Sequence, residues 1–331
     1  MSRNSNIEFL RFAMMVGLCI SHILKHGYGL KNLELPEYNP SDGQLILMGV
    51  LMPIVDCFVF ISGYFGLRLK AEKIIKLLIQ ASFYYILCVI LRNVFNIGEP
   101  ISLGYFLTNI LPITNYAWWF LIWYIFLMVI SPIIEEGINQ IGAKRFKKIL
   151  IFLFVINSFG AWLNRIHTGS DFVGLLMVYL LGRYIRKYYK DIKFIEALLL
   201  FTLITFISVS LILFTYHINK PYFTWNMLML CNPLVILQAV ALFFIVKGLP
   251  SYRSVIINHL GSHCFAIYLL TEFTDNQLYF WWINVYNRYG ILLLLLSILS
   301  ICISICAIDF FREKVCTPIF KYSIRLYNNY T

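Results

Sequence analysis

Two ionisable residues interrupt the first apolar segment of the chain. Arg11 and His22 are eleven residues apart, a spacing of three helical turns plus about 20° and of about 16 Å along the helix axis. Both side chains therefore point to one side of a helix. A permanently charged guanidinium can hold an anion, and an imidazole can accept and return a proton near neutral pH. The spacing predicts anion binding and proton transfer at two depths of one helix.

Two alternatives to this interpretation stay open. Arg11 and His22 can each extend to the lipid headgroups at their own end of the helix. His26, one turn after His22 and closer to water, can be the proton acceptor instead.

Asp56 is a further ionisable residue, about halfway along the second apolar segment. A carboxylate there is costly unless it is paired or protonated. We expect it to pair with Arg11 or with His22, where it would fix the tautomer of the imidazole. The alternative is a structural hydrogen bond to a neighbouring helix. Gly63, further along the segment, predicts close helix packing.

The elements that must position these residues are membrane-spanning helices. The 331 residues are 60% hydrophobic and 13% charged, whereas soluble domains are about 45–50% hydrophobic and about 25% charged. Aromatic residues make up 17% of the chain, which excludes disorder because disordered chains are poor in them. A membrane-spanning helix needs about 20 apolar residues. Ten segments are candidates, of which the fifth and sixth are short: Ile7–His26, Gln44–Leu67, Ile74–Val94, Trp118–Ile134, Ile149–Leu163, Phe172–Ile185, Ile195–Tyr216, Met227–Val246, Cys264–Ile283 and Tyr289–Ile308. The sequence predicts an all-α bundle of about ten transmembrane helices, and one membrane domain over residues 1–331.

The basic residues define an orientation. If the N-terminus is inside, the inner segments hold 20 Lys and Arg residues and the outer segments hold 6, with Arg11 left inside the first span. Because cytoplasmic loops collect Lys and Arg, we expect both termini in the cytoplasm. The same distribution removes nucleic acid as an expected partner, since these charges lie where insertion requires them.

Several kinds of site are not expected. None of the eight cysteines has zinc spacing, so we interpret them as small buried hydrophobes, and we predict no metal site. The chain has no P-loop and no GxGxxG motif, which argues against nucleotide hydrolysis. Glu8 and Arg11 interrupt the first apolar segment, so it is not expected to be a signal peptide.

The spacing Arg11-x10-His22 resembles the R-x10-H motif in the first helix of the acyltransferase-3 family, whose members are polytopic membrane acyltransferases. Four further stretches resemble family patterns in the same order. They are VDCFVFISGYF from residue 55, AWWFLIWYIFLMVISPII in the fourth span, LLMVYLLGRYIRKY in the sixth and GSHCFAIYLL in the ninth. Together these stretches extend over most of the chain. The resemblance implies a family member without the extracytoplasmic domain that is fused to some others.

The resemblance implies a function and a location. An acyl group, expected to be acetyl, would move from cytoplasmic acyl-coenzyme A to a hydroxyl of a surface glycan or lipid-linked saccharide in the bacterial inner membrane. His22 would be the general base and Asp56 would orient it. Arg11, Lys73 and Lys76 would hold the anionic groups of coenzyme A. The two lysines stand where many members have R-x-x-R, and Lys lacks the fork that suits phosphate.

Three more residues are candidates for acceptor binding. Trp118 and Trp119 open the fourth span and can stack on a sugar ring, or they can belong to the aromatic belt of the membrane. Glu272 stands after the position where the family often has His, and it shares a helix face with Asp275. Both carboxylates can contact an acceptor, or can merely face a loop or water.

Two other classes of protein remain as alternatives. An ion-coupled transporter also needs about ten spans and a few ionisable groups within the membrane, and Pro53 and Pro233 interrupt two of the spans. A scaffolding membrane protein is the more distant alternative, because it does not need Arg11 and His22 on one face.

Overall fold

The computed structural model describes residues 4–30, 39–94, 101–111, 118–164, 169–272 and 277–330. The regular secondary structure in these ranges is helical, and they contain no strand. The helices are α1 (Ser5–His22), α2 (Asp42–Leu51), α3 (Ile54–Phe65), α4 (Ala71–Val94), α5 (Leu103–Asn109), α6 (Trp119–Gln140), α7 (Ala143–Asn164), α8 (Phe172–Tyr188), α9 (Phe194–His217), α10 (Pro221–Met227), α11 (Pro233–Lys247), α12 (Val255–His263), α13 (Phe265–Glu272) and α14 (Gln277–Tyr330). The protein is an all-α polytopic membrane protein, as predicted.

Six helical segments in the described residues are long and apolar enough to cross a membrane. They are Ser5–Gly27, Asp42–Phe65, Ala71–Val94, Trp119–Gln140, Phe194–His217 and Leu278–Arg325. Three further predicted spans coincide with α7, α8 and α11. The last of the six lies within α14, whose 54 residues would measure about 80 Å if straight, far more than the hydrocarbon core of about 30 Å. Gly290 breaks this helix with a φ of 79°, in agreement with two predicted spans that meet there.

Three of the predicted spans are not continuous helices, which corrects their boundaries. The second is divided into α2 and α3, because Pro53 has no N–H to donate to the carbonyl of Gly49. The side-chain Nε2 of Gln238 lies 3.4 Å from that carbonyl oxygen and donates instead. The eighth begins at Pro233 and not at Met227. The ninth is helical to Glu272 and again from Gln277, and the residues between lie outside the described ranges.

The chain forms two compact units, each built from separate stretches. The first unit comprises Met1–Gly27, Leu69–Ile122 and Arg253–Thr331, and so contains α1, α4, α5, α12, α13 and α14. The second unit comprises Tyr28–Arg68 and Trp123–Tyr252. The single membrane domain over the whole chain stays a prediction.

Close helix packing joins α1 to α12 in the first unit. The hydroxyl of Ser5 donates to Oδ1 of Asn258 at 2.9 Å. A Cβ on Gly261 would lie 2.6 Å from Cβ of Glu8, so only glycine permits this approach. The N-terminal end of α1 and the start of α12, both predicted to be cytoplasmic, therefore lie at the same end of the unit.

Two glycines bring α3 and α8 together in the second unit. A Cβ on Gly63 would lie 2.2 Å from the carbonyl oxygen of Tyr179, and a Cβ on Gly182 would lie 2.8 Å from that of Phe60. Small residues at such crossings let helix backbones approach closely in membranes. This contact confirms the packing role predicted for Gly63.

A polar cluster closes one end of the second unit. Asp191, in the loop after α8, accepts a hydrogen bond from Tyr64 Oη at 2.5 Å and pairs with Lys247. Partial burial raises the pKa of Asp191, but the hydrogen bonds from Lys247 and Tyr64 lower it by more, so the pKa lies below its usual value. The ends of α3 and α11 are thereby joined at one carboxylate.

Candidate active site

His22 is the last residue of α1, and its side chain is buried. The chain continues as one π-helical turn, Ile23–Gly27, which ends against α14: a Cβ on Gly27 would lie 2.7 Å from Cδ1 of Ile283. Single π-helical turns are rare and occur frequently at functional sites. The predicted base thus stands where the helix changes its winding.

Two residues, one from α13 and one from α14, contact the imidazole of His22. Oε2 of Glu272 lies 3.2 Å from Nε2, an ion-pair distance without the direction of a hydrogen bond. Oη of Tyr279 lies 3.3 Å from Nδ1. The same hydroxyl donates to the carbonyl oxygen of Thr271 at 2.5 Å. Both ring nitrogens therefore have polar neighbours supplied by the C-terminal part of the chain.

The contacts of Tyr279 define which nitrogen of His22 can act as a base. A phenol has one hydrogen, and Tyr279 gives it to Thr271. The contact with Nδ1 then requires that Nδ1 carries a hydrogen and donates it to the phenol oxygen. The lone pair of the neutral ring lies on Nε2, which faces Glu272.

His26 and Lys25 complete the surroundings of the pair. The rings of His22 and His26 meet edge to face with centroids 5.6 Å apart, and His26 stacks on Tyr279 at the same distance. The Lys25 ammonium interacts electrostatically with Glu272. Tyr279 therefore supports both histidines, which keeps His26 in reach as the alternative proton acceptor.

Arg11 lies on the same helix as His22 and pairs with a carboxylate one turn before it, that of Glu8. Nη1 of Arg11 donates to Oε1 of the buried Glu8 at 3.1 Å. The guanidinium is half-buried, so part of its hydrogen-bonding capacity faces outward. The i,i+3 spacing of Glu8 and Arg11 is the local sequence signal for this pair.

Lys73 and Lys76 line one cleft of the first unit, with a volume of about 390 Å³. Cations and acids both face the cleft: Lys73, Lys76, Arg312 and Lys321 against Glu72 and Glu313. The formal net charge of these six residues is +2. Lys76 is ion-paired with Glu313. The structure therefore brings the two predicted cofactor-binding lysines together in one cavity with a guanidinium.

Trp118 requires a correction. Its side chain is completely buried, and its indole N–H donates to the carbonyl oxygen of Leu269 at 3.1 Å. A sugar cannot stack on a ring that has no accessible face, so Trp118 positions α13 instead. Trp119 is partly exposed and contacts Phe120, and its stacking role stays a prediction.

Asp56 belongs to the second unit, near the start of α3. Its side chain is buried, and its Oδ2 has no hydrogen-bond partner among the described residues. In the first unit, Glu272 contacts His22 and Glu8 contacts Arg11. The orienting role of Asp56 stays a prediction, and Asp275 lies outside the described residues.

Tyr279 is the site residue that sequence reasoning missed. It lies 257 positions from His22, and one aromatic residue among 22 tyrosines carries no signal of its own. Glu272 was a candidate for acceptor binding, and its contact with the imidazole is a finding of the structure.

The fold and this site define a polytopic membrane protein that holds a histidine–carboxylate pair inside its helical bundle. A family model described as an acyltransferase domain matches residues 4–312. The chain therefore belongs to the acyltransferase-3 family and is a membrane acyltransferase. Comparisons with curated proteins and with solved structures found no match.

Proposed function

We propose that this membrane acyltransferase moves an acetyl group from cytoplasmic acetyl-coenzyme A to a hydroxyl of a surface glycan or lipid-linked saccharide. The observation that carries the proposal is the contact of His22 Nε2 with Glu272, while Tyr279 holds Nδ1. This arrangement leaves one basic nitrogen in a buried site, as deprotonation of a hydroxyl requires.

The reaction can be written with His22 as its only base. The acceptor oxygen attacks the thioester carbonyl, the new C–O bond forms and the C–S bond breaks. The hydroxyl proton passes to Nε2 of His22, and then to the departing thiolate of coenzyme A. Glu272 stabilises the imidazolium between these two transfers, because the carboxylate lies 3.2 Å from the charged ring. Tyr279 keeps the ring in the productive tautomer.

The donor would enter from the opposite end of the first unit. Arg11 is about 16 Å from His22 along α1, and the cleft at Lys73 and Lys76 offers a net positive surface. Arg11 lies in the part of the first span that is expected nearest the inner leaflet, and the two lysines lie in a segment predicted to be cytoplasmic. A long donor could then place its phosphates at these cations and its thioester in a dry cavity near His22, where proximity accelerates the transfer.

The acceptor would approach His22 from the outer side. The proposed orientation puts His22 near the outer leaflet, and Trp119 remains the candidate for contact with a sugar. The acyl group would then cross the membrane during the transfer. The alternative of an ion-coupled transporter loses support, because the family model extends over nearly the whole chain.

Transfer of labelled acetyl from acetyl-coenzyme A in membranes tests the proposal. His22→Ala should reduce the rate by about 10²–10⁴-fold, the usual effect of losing a general base. His26→Ala is the matched control, since it removes a neighbouring imidazole and leaves the Glu272 contact in place. Wild-type turnover in His22→Ala, with loss in His26→Ala, would transfer the role of base to His26. Full turnover in both variants would refute the proposal.

A further inference from the structure

A second buried polar network lies in the first unit, with Asp309 of α14 at its centre. Oδ1 of Asp309 accepts from Gln80 Nε2 at 2.9 Å and from Arg312 Nε at 2.7 Å. Oδ2 lies 2.7 Å from Nδ1 of His263 and 3.3 Å from Nη2 of Arg312. Asp309, Arg312 and His263 are all buried. Three helices, α4, α12 and α14, thus fix one carboxylate.

This network holds the guanidinium of Arg312 in a defined orientation. The two hydrogen bonds to Asp309 use the Nε and Nη2 groups. Arginine has five N–H groups, so three remain after these two bonds. Arg312 lines the cleft that also contains Lys73 and Lys76. A pre-oriented guanidinium with donors to spare is suited to a phosphate, which it can bind through two parallel hydrogen bonds.

A carboxylate occupies part of the same cleft. Glu313, the residue after Arg312, pairs with Lys76, and its Oε2 lies 3.8 Å from Nε2 of His263. An entering phosphate would meet this negative charge and would compete for Lys76. The ion pair therefore opposes anion binding as long as it is closed.

We propose that Arg312, held by Asp309, binds a phosphate group of the acyl-coenzyme A donor, and that the Lys76–Glu313 ion pair opens when it does. The inference rests on the proposed function, and it adds a specific residue to the donor site. It supplies the guanidinium fork that Lys73 and Lys76 lack. Asp309 is then a positioning residue that acts through Arg312.

Calorimetric titration of coenzyme A into the purified full-length protein in neutral detergent tests this assignment. Arg312→Lys keeps the charge and removes the fork, and it should weaken binding about tenfold or more. Glu313→Gln removes the competing charge and should strengthen binding about threefold or more. Lys314→Ala is the matched control: its ammonium lies over the ring of Phe310, it is not among the cleft residues, and it should bind as the wild type does.

The gain expected from Glu313→Gln keeps the test decisive if Arg312→Lys destabilises the fold. Unchanged affinity in both variants would overturn the inference. Binding in nanodiscs separates coenzyme A from lipid headgroups as the source of the phosphate. If phosphatidylglycerol binds the wild type more tightly than Arg312→Lys while coenzyme A binds both proteins equally, the pocket binds lipid and the donor assignment is wrong. If coenzyme A binding follows the expected pattern while the wild type does not transfer acetyl, the phosphate site stands and the proposed function fails.

Discussion

The carboxylate of Glu272 lies 3.2 Å from Nε2 of His22, although the two residues come from opposite ends of the chain. Glu272→Gln keeps the shape of the side chain and removes its charge. Interactions with a charged group contribute about 1.5–3 kcal/mol, so the variant should transfer acetyl about 10- to 150-fold more slowly. Rates with labelled acetyl-coenzyme A measure this loss.

The kinetic constant that changes in Glu272→Gln separates two possible roles of Glu272, acceptor binding and partnership with the imidazolium. A residue that only binds the acceptor should change the KM for the acceptor and leave kcat unchanged. A partner of the imidazolium should lower kcat. A Glu272→Gln variant with normal kcat would contradict the partnership with His22.

Tyr279 allows a test of the tautomer. Tyr279→Phe retains the ring that stacks on His26 and removes the hydroxyl that contacts Nδ1. A neutral hydrogen bond contributes about 0.5–1.5 kcal/mol, which predicts a rate about 2- to 10-fold lower. Tyr286→Phe, at an exposed position of the same helix, should behave as the wild type. Equal rates in the two variants would show that the hydroxyl does not position His22.

Replacement by alanine should have opposite effects on stability at two helical glycines, one at the contact of α3 with α8 and one in open space on α6. Gly63→Ala should lower thermal stability, because the new methyl group would lie 2.2 Å from a backbone oxygen, and overpacking costs about 1–3 kcal/mol. Gly137→Ala, inside α6, meets no atom within 4 Å. It should raise stability by about 0.5–1 kcal/mol through helix propensity. Melting curves in detergent compare the two variants, and a stable Gly63→Ala protein would contradict the close crossing.

Thiol labelling in intact cells tests the orientation. All eight native cysteines are buried, so the wild type provides the unlabelled reference. Gly142→Cys should stay unlabelled by an impermeant reagent, since Gly142 immediately precedes α7, whose basic first turns are predicted to be cytoplasmic. Ile218→Cys should react, and it is a better position than Asn219, whose φ of 56° disfavours most side chains. The reverse pattern would place His22 at the cytoplasmic face, and transfer across the membrane would have to be abandoned.

The sequence contained the helices, and it placed Arg11 and His22 on one of them, because apolar length and helical period are local properties. It also indicated the break at Pro53 as an interrupted span. The sequence did not predict which group would bond the carbonyl of Gly49 that this break leaves free. That donor, the amide of Gln238, comes from a helix far along the chain. Tertiary contacts of this kind leave no periodic signal.

The same limit explains the errors within the site. The sequence does not distinguish a tryptophan that faces a sugar at the end of a span from one that is buried there. Trp118 is buried and donates to the carbonyl of Leu269. Arg312 was counted only as an inner charge, because its place in the cleft depends on the packing of α4 against α14. The i,i+3 spacing of Asp309 and Arg312 was the local signal available.

The hydroxyl of Tyr279 has a consequence for proton movement. Its hydrogen bond ends on the carbonyl oxygen of Thr271, a peptide oxygen too weakly basic to accept a proton. A proton on Nδ1 of His22 therefore has no exit in that direction, and exchange with the surroundings is confined to Nε2. With His22 as the proposed base, alcohol and water must compete for this single nitrogen. Whatever covers the Nε2 face during a catalytic cycle then decides whether the acyl group is transferred or lost to hydrolysis.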